Sequence, residues 1–359
     1  MINTFQIFRI IMGLLISVFV IMLFLRIADM YSALQEMRQK MEVMNVFEQA
    51  VRQTYTSGYP VTFPGFHDFG TLVYDYGPDS KGPSKLKSDA GDRTILTPFF
   101  FLPDKEQIFV ERHCLDYGWW RWCWVGAVPK DTRIFFSPVE NTPETRALIE
   151  NVSAYFGQNE LYICSGSQIV PLSQPYSREN FLEALRNTVP SAAIRECEAY
   201  VPEPHRVVIF NASSTPTGNR IVVNPTSASS GTISDETGTY TYHDASDIAV
   251  FVIGGGEALL FKNEMLREGA ISAGTLMQKR SELLGQKFSE MNAMPCRECP
   301  PPYPEECGYR DFGGATHASP AYAGFSAALR DLMNSGSDYM GKLEAASQKF
   351  VELQRAGCE

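Results

Sequence analysis

The sequence predicts an α+β protein: an N-terminal transmembrane helix continuing into a long stalk helix, then a mixed α/β ectodomain, then a disulfide-stapled C-terminal helical region. Three observations lead there. Residues Ile10 to Leu25 carry no charge, and with Phe5, Ile7 and Phe8 they supply about 20 residues able to lie in hydrocarbon, enough for one helical span. Between Leu14 and Thr56 there is no Pro or Gly, and the segment is rich in Met, Glu, Gln, Ala, Leu and Arg, all good helix formers. Beyond residue 131, short apolar strands alternate with amphipathic helices, the pattern of an α/β layer on a mixed sheet.

The anchor and stalk occupy residues 1–55. Arg9 lies near one end of the apolar run, where a long side chain reaches back to the headgroups. Past the run, Met30, Leu34, Met37, Met41 and Met44 recur at heptad spacing, with Asp29, Glu36, Arg38, Lys40 and Glu42 elsewhere on the surface. Such a seam needs an apolar partner, either a copy of itself or another membrane protein. Glu48 interrupts the seam, and Phe47 and Val51 carry the stripe on. A secretory signal would be shorter and end in a small-residue cleavage site. Leu25-Arg26-Ile27-Ala28-Asp29 is no such site, so an uncleaved signal anchor in the lipid bilayer is expected.

All eight cysteines follow the anchor: Cys114, Cys123, Cys164, Cys197, Cys296, Cys299, Cys307 and Cys358. An even count suits disulfides in an oxidising space. The expectation is therefore a cytoplasmic N-terminus and an extracytoplasmic bulk. The expected pairs are Cys114 with Cys123 and Cys164 with Cys197, the last four pairing among themselves. Asn211-Ala212-Ser213 is a glycosylation sequon read as lying in a loop, whereas Asn151-Val152-Ser153 falls inside an expected helix. A net charge of −10 without a Lys/Arg stripe argues against a nucleic-acid partner.

Residues 56–130 read as a β-rich aromatic segment, opened by Gly58-Tyr59-Pro60. Strands are expected over 70–76, 94–102 and 107–112, with a polar loop over 77–92. All four Trp lie between Trp119 and Trp124. A strand there puts Trp120, Trp122 and Trp124 on one face, as a docking surface or as core.

The α/β domain spans 131–290. Strands are expected over 132–137, 161–164, 197–201, 206–210, 220–223 and 247–253, and helices over 142–157 and 177–186. Residues 226–241 read as a loop or hairpin. Thr142-Pro143-Glu144 starts its helix in the favoured order. A helix is expected from Glu257 to Asn292, broken at Gly269 or Gly274. Residues 291–359 read as a Cys/Pro knot followed by helices.

The chemistry-bearing motifs are few. Cys296-Arg-Glu-Cys299 could be a redox pair or half a zinc site. The prolines after Cys299 and the lack of a second CxxC favour structural disulfides. Val250-Phe-Val-Ile-Gly-Gly-Gly-Glu257 has the outline of a strand–glycine–helix anion turn, but Glu257 puts a negative charge where the anion would sit. His67, His113, His205, His243 and His317 show no metal-ligand spacing, and GxSxG is absent. No catalytic, cofactor or metal residue is therefore expected.

The apolar helix running into a heptad stalk and a disulfide-bonded head resembles the plan of type IV pilin-like proteins over about the first 55 residues. It departs from them in lacking Glu before Glu36. The whole chain also resembles single-pass, disulfide-bonded surface proteins of archaea. The resemblance implies an extracytoplasmic assembly subunit that associates through its N-terminal helix. An anchored hydrolase using the α/β domain and a ligand- or glycan-binding head using the Trp cluster are the alternatives.

Overall fold

The computed structural model of the chain describes residues 4–67, 69, 72–76, 84–102, 107–140, 142–165, 168–172, 187, 205–212, 216, 218–227, 229–292, 320–334 and 339–355. Helix α1 (Thr4–Ser57) is one unbroken rod of 54 residues, about 80 Å long at about 1.5 Å per residue. Its apolar part from Ile11 is exposed, and by length and composition it is sufficient to cross a membrane. The rod ends where Gly58 takes a left-handed φ of 78° and its N–H donates to the Thr54 carbonyl at 2.9 Å. Arg112 Nη1 donates to the Tyr55 carbonyl at 2.9 Å, closing the same end.

The lower third of α1 is gripped by the head. Lys40, Met44, Phe47, Val51 and Thr54 are buried at helical spacing. They pack over a sheet formed from β1 (Val61–Phe63), β5 (Phe99–Phe101), β6 (Ile108–Asp116) and β7 (Arg121–Pro129), in the order β1-β6-β7-β5. Phe47 is ringed by Phe63, Phe66, Phe99 and Phe101 at centroid distances of 4.9–5.7 Å. The strand period of two then sends Phe100 to the opposite face, against Trp124 at 5.3 Å.

A second small sheet pairs β2 (Leu72–Asp75), β3 (Ser84–Ser88) and β4 (Gly91–Ile95) in order. This corrects the polar loop expected over 77–92. Ser84-Lys85-Leu86-Lys87 alternates buried and exposed, but with lysines outside and a serine inside, its composition hides the period. The Ser84 hydroxyl accepts from Tyr74 Oη at 2.5 Å and donates to the Ile95 carbonyl at 3.1 Å, so its burial is compensated. The β3–β4 turn reaches α1, where Lys40 Nζ lies 2.7 Å from Asp89 Oδ2 and 2.8 Å from Glu36 Oε1.

The α/β part is a seven-stranded sheet. It comprises β8 (Arg133–Pro138), β9 (Glu160–Ser165), β10 (Gln168–Leu172), β11 (His205–Phe210), β12 (Arg220–Pro225), β13 (Gly231–Asp235) and β14 (Gly238–Tyr242), in the order β10-β9-β8-β11-β12-β13-β14. Its centre β9-β8-β11-β12 is parallel and its outer pairs are antiparallel. Helix α2 (Pro143–Ser153) joins β8 to β9, and Thr142 Oγ1 caps it by accepting from Thr145 N at 3.1 Å. The low-complexity stretch over 226–241 forms the β13–β14 hairpin. The helix expected over 177–186 and the strand over 197–201 lie outside the described residues.

The largest correction concerns 247–253, expected as the most buried strand. It is the first part of helix α3 (Ala245–Asn292). Ile248 to Ile253 are all buried, because this helix lies between the two larger sheets and is covered on every side. An apolar run without periodicity does not distinguish strand from buried helix. The helix breaks once, at Gly255 (φ 72°, ψ −162°), and runs through Gly269 and Gly274. A Cβ at Gly254 would lie 2.2 Å from Tyr76 Oη, and one at Gly256 would lie 2.1 Å from Tyr240 Cζ. The three glycines thus admit two tyrosines and one strained backbone conformation.

Helices α4 (Pro320–Met333) and α5 (Tyr339–Arg355) pack on each other and on the β6–β7 turn. Ser347 Oγ donates to the Tyr117 carbonyl at 2.8 Å, and Phe325 meets Trp119. The expected Cys/Pro knot, with Cys296, Cys299 and Cys307, and Cys358 beyond α5, lies outside the described residues. Buried residues of 56–130 and 131–290 merge into one core with the foot of α1. The glycine account predicts that Gly256→Ala lowers stability by about 1–3 kcal/mol through overpacking. Gly157→Ala, with nothing within 4 Å of its Cβ, should change it by less than about 0.5 kcal/mol; urea unfolding of the two variants checks both.

Candidate functional site

The predicted stalk seam is divided by the head. Met44 is fully buried and Met41 half-buried, its sulfur 3.4 Å from a Cβ built at Gly91. These two positions are filled by the protein's own β3–β4 turn, where Ser88 Oγ also approaches Met44 Sδ at 3.2 Å. Above Lys40, none of the described residues covers the rod. Met30, Leu34 and Met37 are 67%, 62% and 47% exposed, and Ile27 and Tyr31 lie bare beside them. Every residue from Arg26 to Gln39 is exposed, leaving about 20 Å of free helix between the apolar segment and the head.

The tryptophans share one face, which turns inward. Trp124 is fully buried between Phe100, His113 and Tyr155. Trp122 is buried and Trp120 half-buried, both against α3 at Gly269. This face lies against α3, so Trp122 and Trp124 are core residues rather than a docking surface. The expected Cys114–Cys123 disulfide closes the β6–β7 ladder, where the two residues are register partners. Cys164 is also disulfide-bonded, and its expected partner Cys197 lies outside the described residues.

Asn211, the expected glycan acceptor, has φ 61°, and its Nδ2 donates to Thr145 Oγ1 on α2 at 2.9 Å. The nitrogen a glycan would occupy is therefore engaged in a hydrogen bond at a half-buried position. This residue also sits at the point between β8 and β11 where the strand order reverses, the usual ligand position in open α/β sheets. Backbone pairing continues past the strand ends there, with Val139 N donating to the Phe210 carbonyl at 3.0 Å and Asn211 N to the Val223 carbonyl at 2.9 Å. Among the described residues, no group of three His, Cys, Asp or Glu side chains is placed to hold a metal.

The densest buried chemistry was not predicted from sequence. Asp244 caps α3, accepting from Asp247 N at 2.9 Å, and Asp247 reaches back to His243 N at 2.7 Å. Asp-x-x-Asp is a capping-box arrangement, and that spacing was the available signal for the helix start. Lys262, fully buried, ion-pairs with both carboxylates and hydrogen-bonds Ser246 Oγ. Burial acts to lower the Lys262 ammonium; Asp244 and Asp247 more than offset it and hold its pKa above the ordinary lysine value. A serine beside a lysine has the outline of a nucleophile and base. Here the lysine is locked cationic and both side chains are sealed from solvent, so the pair is structural. Burial also pushes the nearby Tyr155 phenol up to about 12.

His113 and Glu111, on one face of β6, border a water-sized space with Tyr155 and Asn159. Burial draws the His113 imidazole down to about 4 and pushes the Glu111 carboxyl up.

Lys262→Met strands the buried Asp247 carboxylate, with the partly exposed Asp244 beside it, and should cost about 3–5 kcal/mol. Lys349→Met, breaking an exposed pair with Glu352, should cost under about 1 kcal/mol; chemical denaturation distinguishes them. For His113 the unfolded chain binds the proton first. Its contribution is intact above about pH 6.5 and is lost as pH falls toward about 4, by about 3 kcal/mol in all. Glu111 works in the opposite sense, so the check is the difference between wild type and His113→Gln in thermal melts across this range. The wild type should lose more stability on acidification.

Compared with protein families, curated proteins and solved structures, the chain matches none.

Proposed function

We propose that this is a membrane-anchored, extracytoplasmic assembly subunit whose rigid helix carries the head away from the bilayer and associates with copies of itself or with a partner's membrane helix. One observation carries the reading. Ile27, Met30, Leu34 and Met37 form a heptad-spaced apolar stripe on a helix that is otherwise unpacked between membrane and head. Water-exposed apolar stripes of this kind gain about 25 cal/mol per Å2 on burial. Methionine at several of its positions suits a seam that adapts to its partner.

The extracytoplasmic placement is supported by the Cys114–Cys123 disulfide and the disulfide-bonded Cys164, since such bonds persist in oxidising compartments. The anchored-hydrolase alternative gains nothing from the Ser246–Lys262 pair. The glycan-docking alternative is weakened by the inward turn of Trp122 and Trp124.

Met30→Glu combined with Met37→Glu puts two charges on the free seam without touching a head contact. The variant should insert into membranes and its head should melt as in the wild type. The complex extracted in mild detergent should fall to the monomer's mass by light scattering. Survival of the native-size complex would refute assembly through this face.

A further inference from the structure

With Ile27 and Leu34 at the first position of a heptad and Met30 and Met37 at the fourth, the positions flanking the free seam are filled by Arg26, Tyr31, Ala33 and Arg38. All four are exposed, and among the described residues neither arginine has an ion pair. The acids of this stretch, Asp29 and Glu36, both fall at the third position, away from the seam, and Glu36 is held by Lys40 at 2.8 Å. Lys40, the next flanking cation, is bound by Asp89 of the head as well. The free stripe is therefore edged by two uncommitted cations and no anion.

Length and charge together select what can cover it. The β3–β4 turn fills the seam at Met41 and Met44, so a helix lying on the stripe must end or veer away after about two heptads, about 20 Å. Two heptads fall short of the three or four that sustain a coiled coil. The stripe runs on, however, through Leu23, Val20 and Ile16, all exposed along the apolar segment, so the occupant gains its remaining contact by spanning the bilayer beside α1. Two copies anchored in one bilayer lie parallel, and a parallel pair sets each flank against the opposite flank of its neighbour. A second copy would bring only Arg26, Tyr31, Ala33 and Arg38 to that edge, gathering two arginines from each chain with no acid between them. We propose that the free seam takes a single-span membrane helix of a different protein, one with Asp or Glu beside its own apolar stripe, rather than a second copy of this chain. The proposal rests on the assembly reading and narrows it.

Two synthetic single-span peptides test this against the full chain in non-ionic detergent micelles. Each has an oligoleucine span followed by two heptads with Leu at the seam positions; one carries Glu at the flanking positions and the other Lys. By fluorescence energy transfer, the Glu peptide should bind at least about fivefold more tightly at low salt, and the gap should shrink in about 1 M salt. Arg26→Glu combined with Arg38→Glu alters two exposed side chains, so the head should melt as before while the preference reverses. The purified chain alone should sediment as a monomer. A stable oligomer of the purified chain that Met30→Glu with Met37→Glu dissolves would overturn the proposal and leave assembly through the seam standing. Equal affinity for the two peptides, or binding of neither, would overturn it too, and the native complex's response to the same two methionine changes then decides the assembly reading by itself.

Discussion

The contact on which the structure depends is the insertion of Phe47 among Phe63, Phe66, Phe99 and Phe101. One face of the β1-β6-β7-β5 sheet is apolar only because it expects a helix there, and α1 supplies it. Edge-to-face aromatic pairs fix direction as well as distance, so the ring cluster sets the angle at which the rod leaves the head. Lys40, bridging Glu36 and Asp89, marks where that grip ends. Above it the helix has no tertiary support among the described residues. It relies on its own backbone hydrogen bonds, on strong helix formers, and on whatever the membrane or a neighbour provides.

The opposite face of the same sheet is closed by α3, and α3 is also the layer under the seven-stranded sheet. A helix in that position must be apolar all round, and the run Ile248 to Ile253 is so. Its start is only partly open to solvent, and two aspartates cap it. The buried Asp247 carboxylate with Asp244 beside it is too much negative charge for a largely dry site, and Lys262, one helix segment further on, neutralises part of it. The cluster therefore follows from placing a helix N-terminus at the edge of a core. It is a solution to burial, and its serine and lysine are not thereby a catalytic pair.

Packing alone does not explain the free stalk between Arg26 and Gln39, which keeps large apolar side chains in water.

By itself the sequence determined the long helix, its apolar segment and its end at Gly58, because each rests on local propensity and composition. It likewise determined the Cys114–Cys123 pairing, the capped start of α2 and most strands of the parallel centre, whose apolar runs are short and bounded by turns. Only the tertiary structure decided the rest. Whether 247–253 was strand or helix depended on being enclosed between two sheets, which no local period records. Whether Met44 faced a partner or the head depended on a turn 45 residues later at Asp89. The inward turn of Trp122 and Trp124 and the commitment of Asn211 Nδ2 depended on α3 and α2 arriving from elsewhere in the chain.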